Sequence, residues 1–337
     1  MKEFTNIDIN TMTQKEKDEF LFGLIPHLKH FKSEKGAEGT VYFIDDKFIV
    51  KEYLSPAVIG TVAEVDFNKV FDLYCEEIKG FSDKGYSVPK IYSWTKIQPK
   101  NKIFSKDVYP RCYILEERIN GRALYLPKLS SCDELFKDLV SKNKFYNIMD
   151  NPNSNTVIYK EMVKRYISDY ILANEYIISM SDNDLDAFIS SIGNMFEEAE
   201  YGLPDVHASN VLMVDNKLIL IDNYMAVKKD NVLFDEQTVE DFLIARLSIL
   251  FGANERVLKL GAKDNLSNDL EIKKLIEQNS LFCYDALEKI LKSMKRCLNG
   301  KMVESHRALH TAYQRMSKIL GFNNAINLIK IVNERYF

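Results

Sequence analysis

The chain has 337 residues, 46% of them hydrophobic and 28% charged, with a formal net charge of -4. That length has room for two domains or one two-lobed enzyme, and the composition is that of a folded chain rather than a long disordered one. The small negative charge excludes a global attraction to nucleic acid or to an anionic membrane.

Taken in chain order, Thr13 followed by Glu16 offers a capping box, and a helical pattern runs from there to about Phe31. TVYFI and KFIVKEY are rich in β-formers and separated only by Asp45-Asp46, which predicts a tight hairpin. A helical pattern covers about Val62 to Ser82. SVPKIYSW and CYILEERI read as two further strands, with the polar stretch Lys96 to Lys106 between them. Beyond Gly121 helices are expected over about Cys132–Leu139, Tyr159–Ser179, Asp184–Ala199, Val239–Phe251, Asp269–Leu298, Met302–Lys318 and Asn323–Glu334. A short strand pair, VLMV and LILI turned at Asp215-Asn216, interrupts them. The expected class is α+β, with a β-rich part at 32–120, an α-helical part at 121–337 and a helical extension at 1–31.

Cysteines at 75, 112, 132, 283 and 297 form no CxxC pair and share no metal-ligand spacing with histidine. Free thiols in a reducing, cytoplasm-type compartment are expected, secretion as an effector remaining an alternative. No apolar run approaches the roughly 18 residues that span a bilayer, and the first residues lack a secretory apolar core.

Three places carry chemistry. In EKGAEGTVYFIDDKFIVKEY, Gly36 and Gly39 precede a strand and Lys51 ends the returning one. Such glycines serve either a plain turn or close approach to phosphate oxygens, beside which a strand lysine can hold α/β-phosphates. On the next helix Glu77 lies at the margin of an inward stripe, where it either pairs with Lys51 or faces solvent; Glu76 is the other candidate. In YGLPDVHASNVLMVDNKLILIDNY, Asp205 and Asn210 precede a strand and Asp222 follows the next. A hairpin there would bring Asn210 and Asp222 to one end, an oxygen pair suited to Mg²⁺, with Asp205 as a base. The alternative is that Asp205 and Asn210 cap turns. His207 reads as a supporting residue of this loop. The aromatic run YKEMVKRYISDYILANEYIISM reads as helix packing.

The order of these parts resembles the protein kinase-like superfamily over about Gly36 to Asp222: glycine loop, strand lysine, helix glutamate, glutamate-rich connector, D-x4-N, hairpin, aspartate. LEERINGRAL is similar to the hinge of aminoglycoside and choline phosphotransferases, and LPDVHASNVLM with LILIDN to their catalytic loop and metal-binding strand. The resemblance implies a bilobal kinase-like fold using ATP and Mg²⁺. It assigns nucleotide contacts to Gly36, Gly39, Val41 and Lys51, with Glu77 bracing Lys51. Backbone contacts to adenine fall to Glu116 through Arg118, the catalytic base to Asp205, and Mg²⁺ to Asn210 and Asp222. The acceptor implied is a protein serine or threonine hydroxyl, with a small-molecule acceptor and an inert nucleotide-binding scaffold as alternatives, and the C-terminal helices as a partner surface. The sequence departs from the protein-kinase pattern at several points. Glu34 replaces the first loop glycine, Leu203-Pro204 replaces His-Arg, His207 replaces a lysine, and Asn223-Tyr224 replaces Phe-Gly. Familiar activation-loop control is therefore not expected.

Overall fold

The computed structural model describes residues 7–35, 39–53, 67–97, 111–124, 156–206, 210–225, 269–297, 317 and 322–332. The expected helices at 132–139, 239–251 and 302–318 lie outside the described residues, apart from Ser317. The chain forms two compact units. The first is Met1–Arg122, Asn194–Asp205 and Leu218–Asp235; the second is Ala123–Gly193, Val206–Lys217 and Glu236–Phe337. The α+β class expected from the sequence is present: an antiparallel sheet in the N-terminal part and long helices in the remainder.

In the first unit, helix α1 (Gln14–Leu24) begins at Thr13, whose hydroxyl accepts from Glu16 N at 3.3 Å. Glu16 Oε2 accepts from Thr13 N at 2.7 Å, closing the capping box. The pattern expected to continue to Phe31 tightens into a 3-10 helix, Ile25–His30, where Pro26 supplies no N–H for a further α-helical bond. Five strands follow: β1 (Lys32–Lys35), β2 (Gly39–Phe43), β3 (Phe48–Tyr53), β4 (Ile91–Ile97) and β5 (Arg111–Glu117). They form one antiparallel sheet of order β1-β2-β3-β5-β4. Asp45 sets the β2–β3 turn by accepting from Lys47 N at 2.7 Å and Phe48 N at 3.1 Å. β1 is an addition to the expected elements, because KSEK carries no apolar alternation to announce an edge strand.

Period-2 alternation divides β3 and β5 between two faces. Phe48, Val50, Tyr113 and Leu115 bury one face against Phe20, Leu21, Leu24 and Leu28, with Phe20 edge-on to Phe48 at 5.6 Å between ring centroids. Ile9, Phe20, Leu21, Leu24 and Leu28, all within the expected extension, belong to the same core cluster. Glu52 shares this side of β3 and is buried, accepting from Tyr42 OH at 2.7 Å, Tyr113 OH at 3.0 Å and Arg111 Nη1 at 3.1 Å. Burial and Glu52 push the Tyr42 hydroxyl up to about 12, so it remains a donor.

The other face carries Lys51, Tyr53, Cys112, Ile114 and Glu116. Helix α2 (Phe67–Asp83) meets it, its Tyr74 hydrogen-bonded to Tyr53 and its Asp72 paired with Lys96 at 2.5 Å. Burial pushes the Cys75 thiol well up and the Cys112 thiol up to about 12. Cys75, Cys112, Cys283 and Cys297 are free thiols.

In the second unit, β6 (Arg122–Ala123) leads to Leu124, whose N–H donates to Val211 O at 2.7 Å on β8 (Val211–Val214). Helices α3 (Thr156–Ser179), α4 (Asp182–Glu198) and α5 (Leu270–Cys297) follow the expected spans closely. Tyr176 on α3 donates to Asp215 O at 2.5 Å, holding the predicted turn, where Asp215 takes φ 51. Asp186 receives Ser293 Oγ at 2.5 Å and Arg296 Nε at 2.8 Å. A last helix, α6, spans Phe322–Val332. Among the described residues no helix is long and apolar enough to cross a membrane.

Candidate active site

Lys51 is the centre of the described site, and register decides what it meets. Ile114 on β5 stands directly across from Lys51, and Glu116, two residues further on, shares the same face. The lysine Nζ lies 3.1 Å from Glu116 Oε2 and donates to Ile221 O at 2.6 Å. Both side chains are nearly closed to water, at 14% and 7% exposure. Burial pushes the Glu116 carboxyl up despite the ammonium beside it. The same burial opposes charge on Lys51, but Glu116 and the Asp222 carboxylate together hold its pKa above the ordinary value. Two acidic groups thus surround one cation.

The backbone around Asp222 is fixed from several sides. β9 (Lys217–Leu220) ends with Leu220 N donating to Ser87 O at 2.8 Å. Two three-residue strands absent from the sequence expectation, β7 (Gly202–Pro204) and β10 (Asn223–Met225), pair antiparallel with Asn223 opposite Pro204. Asp205 and Asp222 are the next residue on each strand beyond that pair. Tyr74 OH donates to Asn223 O at 3.3 Å.

Glu77 does not brace Lys51. Its carboxylate accepts instead from the backbone N–H groups of Glu200 at 2.7 Å, Tyr201 at 3.1 Å and Gly202 at 2.6 Å. The physical reason is satisfaction at both ends. Glu116 already meets the ammonium across the strand, while withdrawing Glu77 would strip three donors of their acceptor. Glu76 is exposed on the outer side of α2 and is likewise no partner of Lys51.

Arg118, expected to contact adenine through its backbone, directly follows β5. Its N–H donates to Lys47 O at 2.8 Å and its Nη1 to Asp45 O at 2.6 Å, so it clasps the β2–β3 turn. A base contact from Arg118 backbone is thereby confined to its carbonyl. Glu116 enters the site by its side chain, as the lysine's partner. Val41 stands opposite Lys51 across β2 and β3. Gly39 has a purely local reason to be glycine: an added Cβ would lie 2.1 Å from Glu52 O on the paired strand.

Asn210 precedes β8 in the second unit, whereas Asp205 and Asp222 belong to the first. Gly36 and His207 lie outside the described residues. Asn223, named from the sequence only as a departure from Phe-Gly, has a buried Oδ1 that no donor among the described residues meets. Among the described residues there is no group of three or more His, Cys, Asp and Glu suited to a metal ion. Mg²⁺ does not require one, since it binds through one or two carboxylates and takes the rest from phosphates and water. The backbone register puts Asp205 and Asp222 at one end of the ladder, and a carboxylate there is the ligand type that chemistry uses.

No family model matches the chain, and no curated protein matches it. Among solved structures it is similar to the MAP kinase LmaMPK10 from Leishmania major, at 10% identity and a TM-score of 0.26, over 94% of this chain and 87% of that one. At that TM-score the likeness carries no argument about activity.

Proposed function

We propose that the chain is an ATP- and Mg²⁺-dependent phosphotransferase of the kinase-like superfamily, with a protein serine or threonine hydroxyl as acceptor. The observation that carries the reading is the setting of Lys51: a buried strand lysine held by Glu116 and by Ile221 O, one residue before Asp222. A cation so placed beside the carboxylate that would hold Mg²⁺ suits a polyphosphate better than it suits a structural ion pair alone. In this reading Lys51 holds the α/β-phosphates, Glu116 aims it, and Val41, with Gly36 and Gly39, borders the nucleotide. Asp222 would hold Mg²⁺, which would neutralise charge on the phosphates, and Asn210 is the second ligand that the resemblance implies. Asp205 takes the proton of the acceptor hydroxyl as its oxygen bonds to the γ-phosphorus and the bond to the β–γ bridging oxygen breaks. His207 supports the loop. The buried free thiols support a reducing, cytoplasm-type setting. The C-terminal helices are the proposed partner surface, with Leu270 and Leu281 exposed on α5.

The position of Glu77 favours one second reading, a nucleotide-binding scaffold without turnover, because the helix carboxylate is not on the lysine. Mg²⁺-dependent release or transfer of γ-labelled phosphate separates the two. Asp205→Ala is expected to abolish transfer while nucleotide affinity stays within about twofold, since the base acts in the transition state and not in ground-state binding. Normal phosphorylation by Asp205→Ala would sink the assigned role. Labelled protein against labelled small molecule then identifies the acceptor, and the mass added to the product distinguishes phosphate from AMP.

A further inference from the structure

Tyr74 and Glu77 lie one turn apart on α2, and both reach the β7–β10 ladder rather than Lys51. Tyr74 holds the β10 carbonyl of Asn223 at 3.3 Å. Glu77 Oε1 accepts from Gly202 N at 2.6 Å and Tyr201 N at 3.1 Å, and Oε2 accepts from Glu200 N at 2.7 Å. Helix and strand approach closely here, since a Cβ added to Gly202 would lie 2.6 Å from Ile78 Cδ1 and 3.3 Å from Glu77 Oε1. A two-stranded ladder of three residue pairs has little stability of its own. This charge-assisted clamp anchors the β7 side of the ladder, from which Asp205 follows.

We infer that Glu77 is a positioning residue for Asp205, acting through the backbone of Glu200 to Gly202. This role rests on the reading of Asp205 as the base. Asp205 lies three residues beyond Gly202, about 10 Å of extended chain, so Glu77 works at a distance from the reacting atoms. It gives a role to the carboxylate at the helix position expected to serve the lysine, where Glu116 serves the lysine instead.

The test uses the full chain and two independent readouts. Amide hydrogen exchange over 199–206 is compared for wild type, Glu77→Ala, Glu77→Gln and Lys51→Ala. Glu77→Ala is expected to speed exchange at Tyr201 and Gly202 by about tenfold or more, with β3 and β5 unchanged. Glu77→Gln, which keeps one acceptor oxygen, recovers part of that protection and supplies the folded variant should the alanine form fail. Kinetically, Glu77→Ala lowers kcat by about tenfold or more with KM for ATP within about twofold, whereas Lys51→Ala weakens nucleotide binding itself. Unchanged exchange at 201–202, equal acceleration across the whole sheet, or a Glu77→Ala profile that copies Lys51→Ala would each overturn the assignment. Absence of turnover in the wild type sinks phosphotransfer alone. Amide exchange at Asp205 and Val206 then decides whether Glu77 fixes the segment, and no change there overturns it.

Discussion

Removing the carboxylate of Glu116 isolates a buried ammonium, and the cost follows from the geometry. At 3.1 Å the gross attraction to Lys51 is about 5 kcal/mol for an effective dielectric near 20. Desolvation of both ions offsets much of that in the intact pair, so the pair itself adds little. Deleting one partner is different, because it leaves the other charge buried, typically at a cost of about 3 to 5 kcal/mol. Ile221 O still accepts from Lys51 at 2.6 Å and Asp222 still acts on it, which places Glu116→Ala at the lower end, about 3 kcal/mol. Urea unfolding followed by the fluorescence of the single tryptophan, Trp94 on β4, reads the first unit selectively. With a slope of about 2 kcal/mol/M, the midpoint moves down by about 1.5 M. Lys51→Met combined with Glu116→Leu, which removes both charges, is expected to cost less than Glu116→Ala alone. Lys51→Met by itself leaves a carboxyl that burial already pushes up and that can neutralise by taking a proton. Its folded pKa exceeds the unfolded one, so the variant is most stable at low pH and loses stability as pH rises through the folded value. A Glu116→Ala midpoint within about 0.3 M of wild type, or a double variant weaker than either single one, would refute the reasoning.

Gly39→Ala should cost about 2 to 3 kcal/mol by the same urea measurement, because its nearest obstacle is backbone, Glu52 O at 2.1 Å, which no rotamer change relieves. A midpoint equal to wild type would show that β2 and β3 can separate there freely. In the second unit, the Arg296 guanidinium, with help from Ser293, holds the Asp186 carboxyl below its ordinary value of 3.8. That contribution to stability is present above the unfolded value and fades as pH falls through the lower folded one. Arg296→Ala should raise the Asp186 titration midpoint seen by carboxyl NMR, and an unmoved midpoint would assign the shift elsewhere.

Much of the local structure is legible in the sequence because it is decided by neighbours along the chain. Thr13 and Glu16 close their capping box within one turn, and Asp45 sets its hairpin two and three residues on. The long helices announce themselves by period, although the hydrogen bonds that tie α3 to α5, Asn174 to Asn279 and Lys289 to the Ile178 carbonyl, do not. The candidate site divides differently. The residue types Lys51, Asp205 and Asp222 at their spacing suggest phosphate chemistry from sequence and resemblance together, but the identity of each partner does not follow from spacing. Lys51 could look to the helix or to the next strand. Only the Lys51–Ile114 register, which sets Glu116 on the same face two residues away, decides in favour of the strand. The β7–β10 ladder is equally silent in sequence: GLP and NYM have no alternation to speak of, and their pairing depends on segments brought together by the fold. Sequence by itself determined the chemistry available and the elements that carry it. Tertiary structure decided which acid meets the lysine and which holds the strand before Asp205, because cross-strand register and helix docking join residues far apart in the chain.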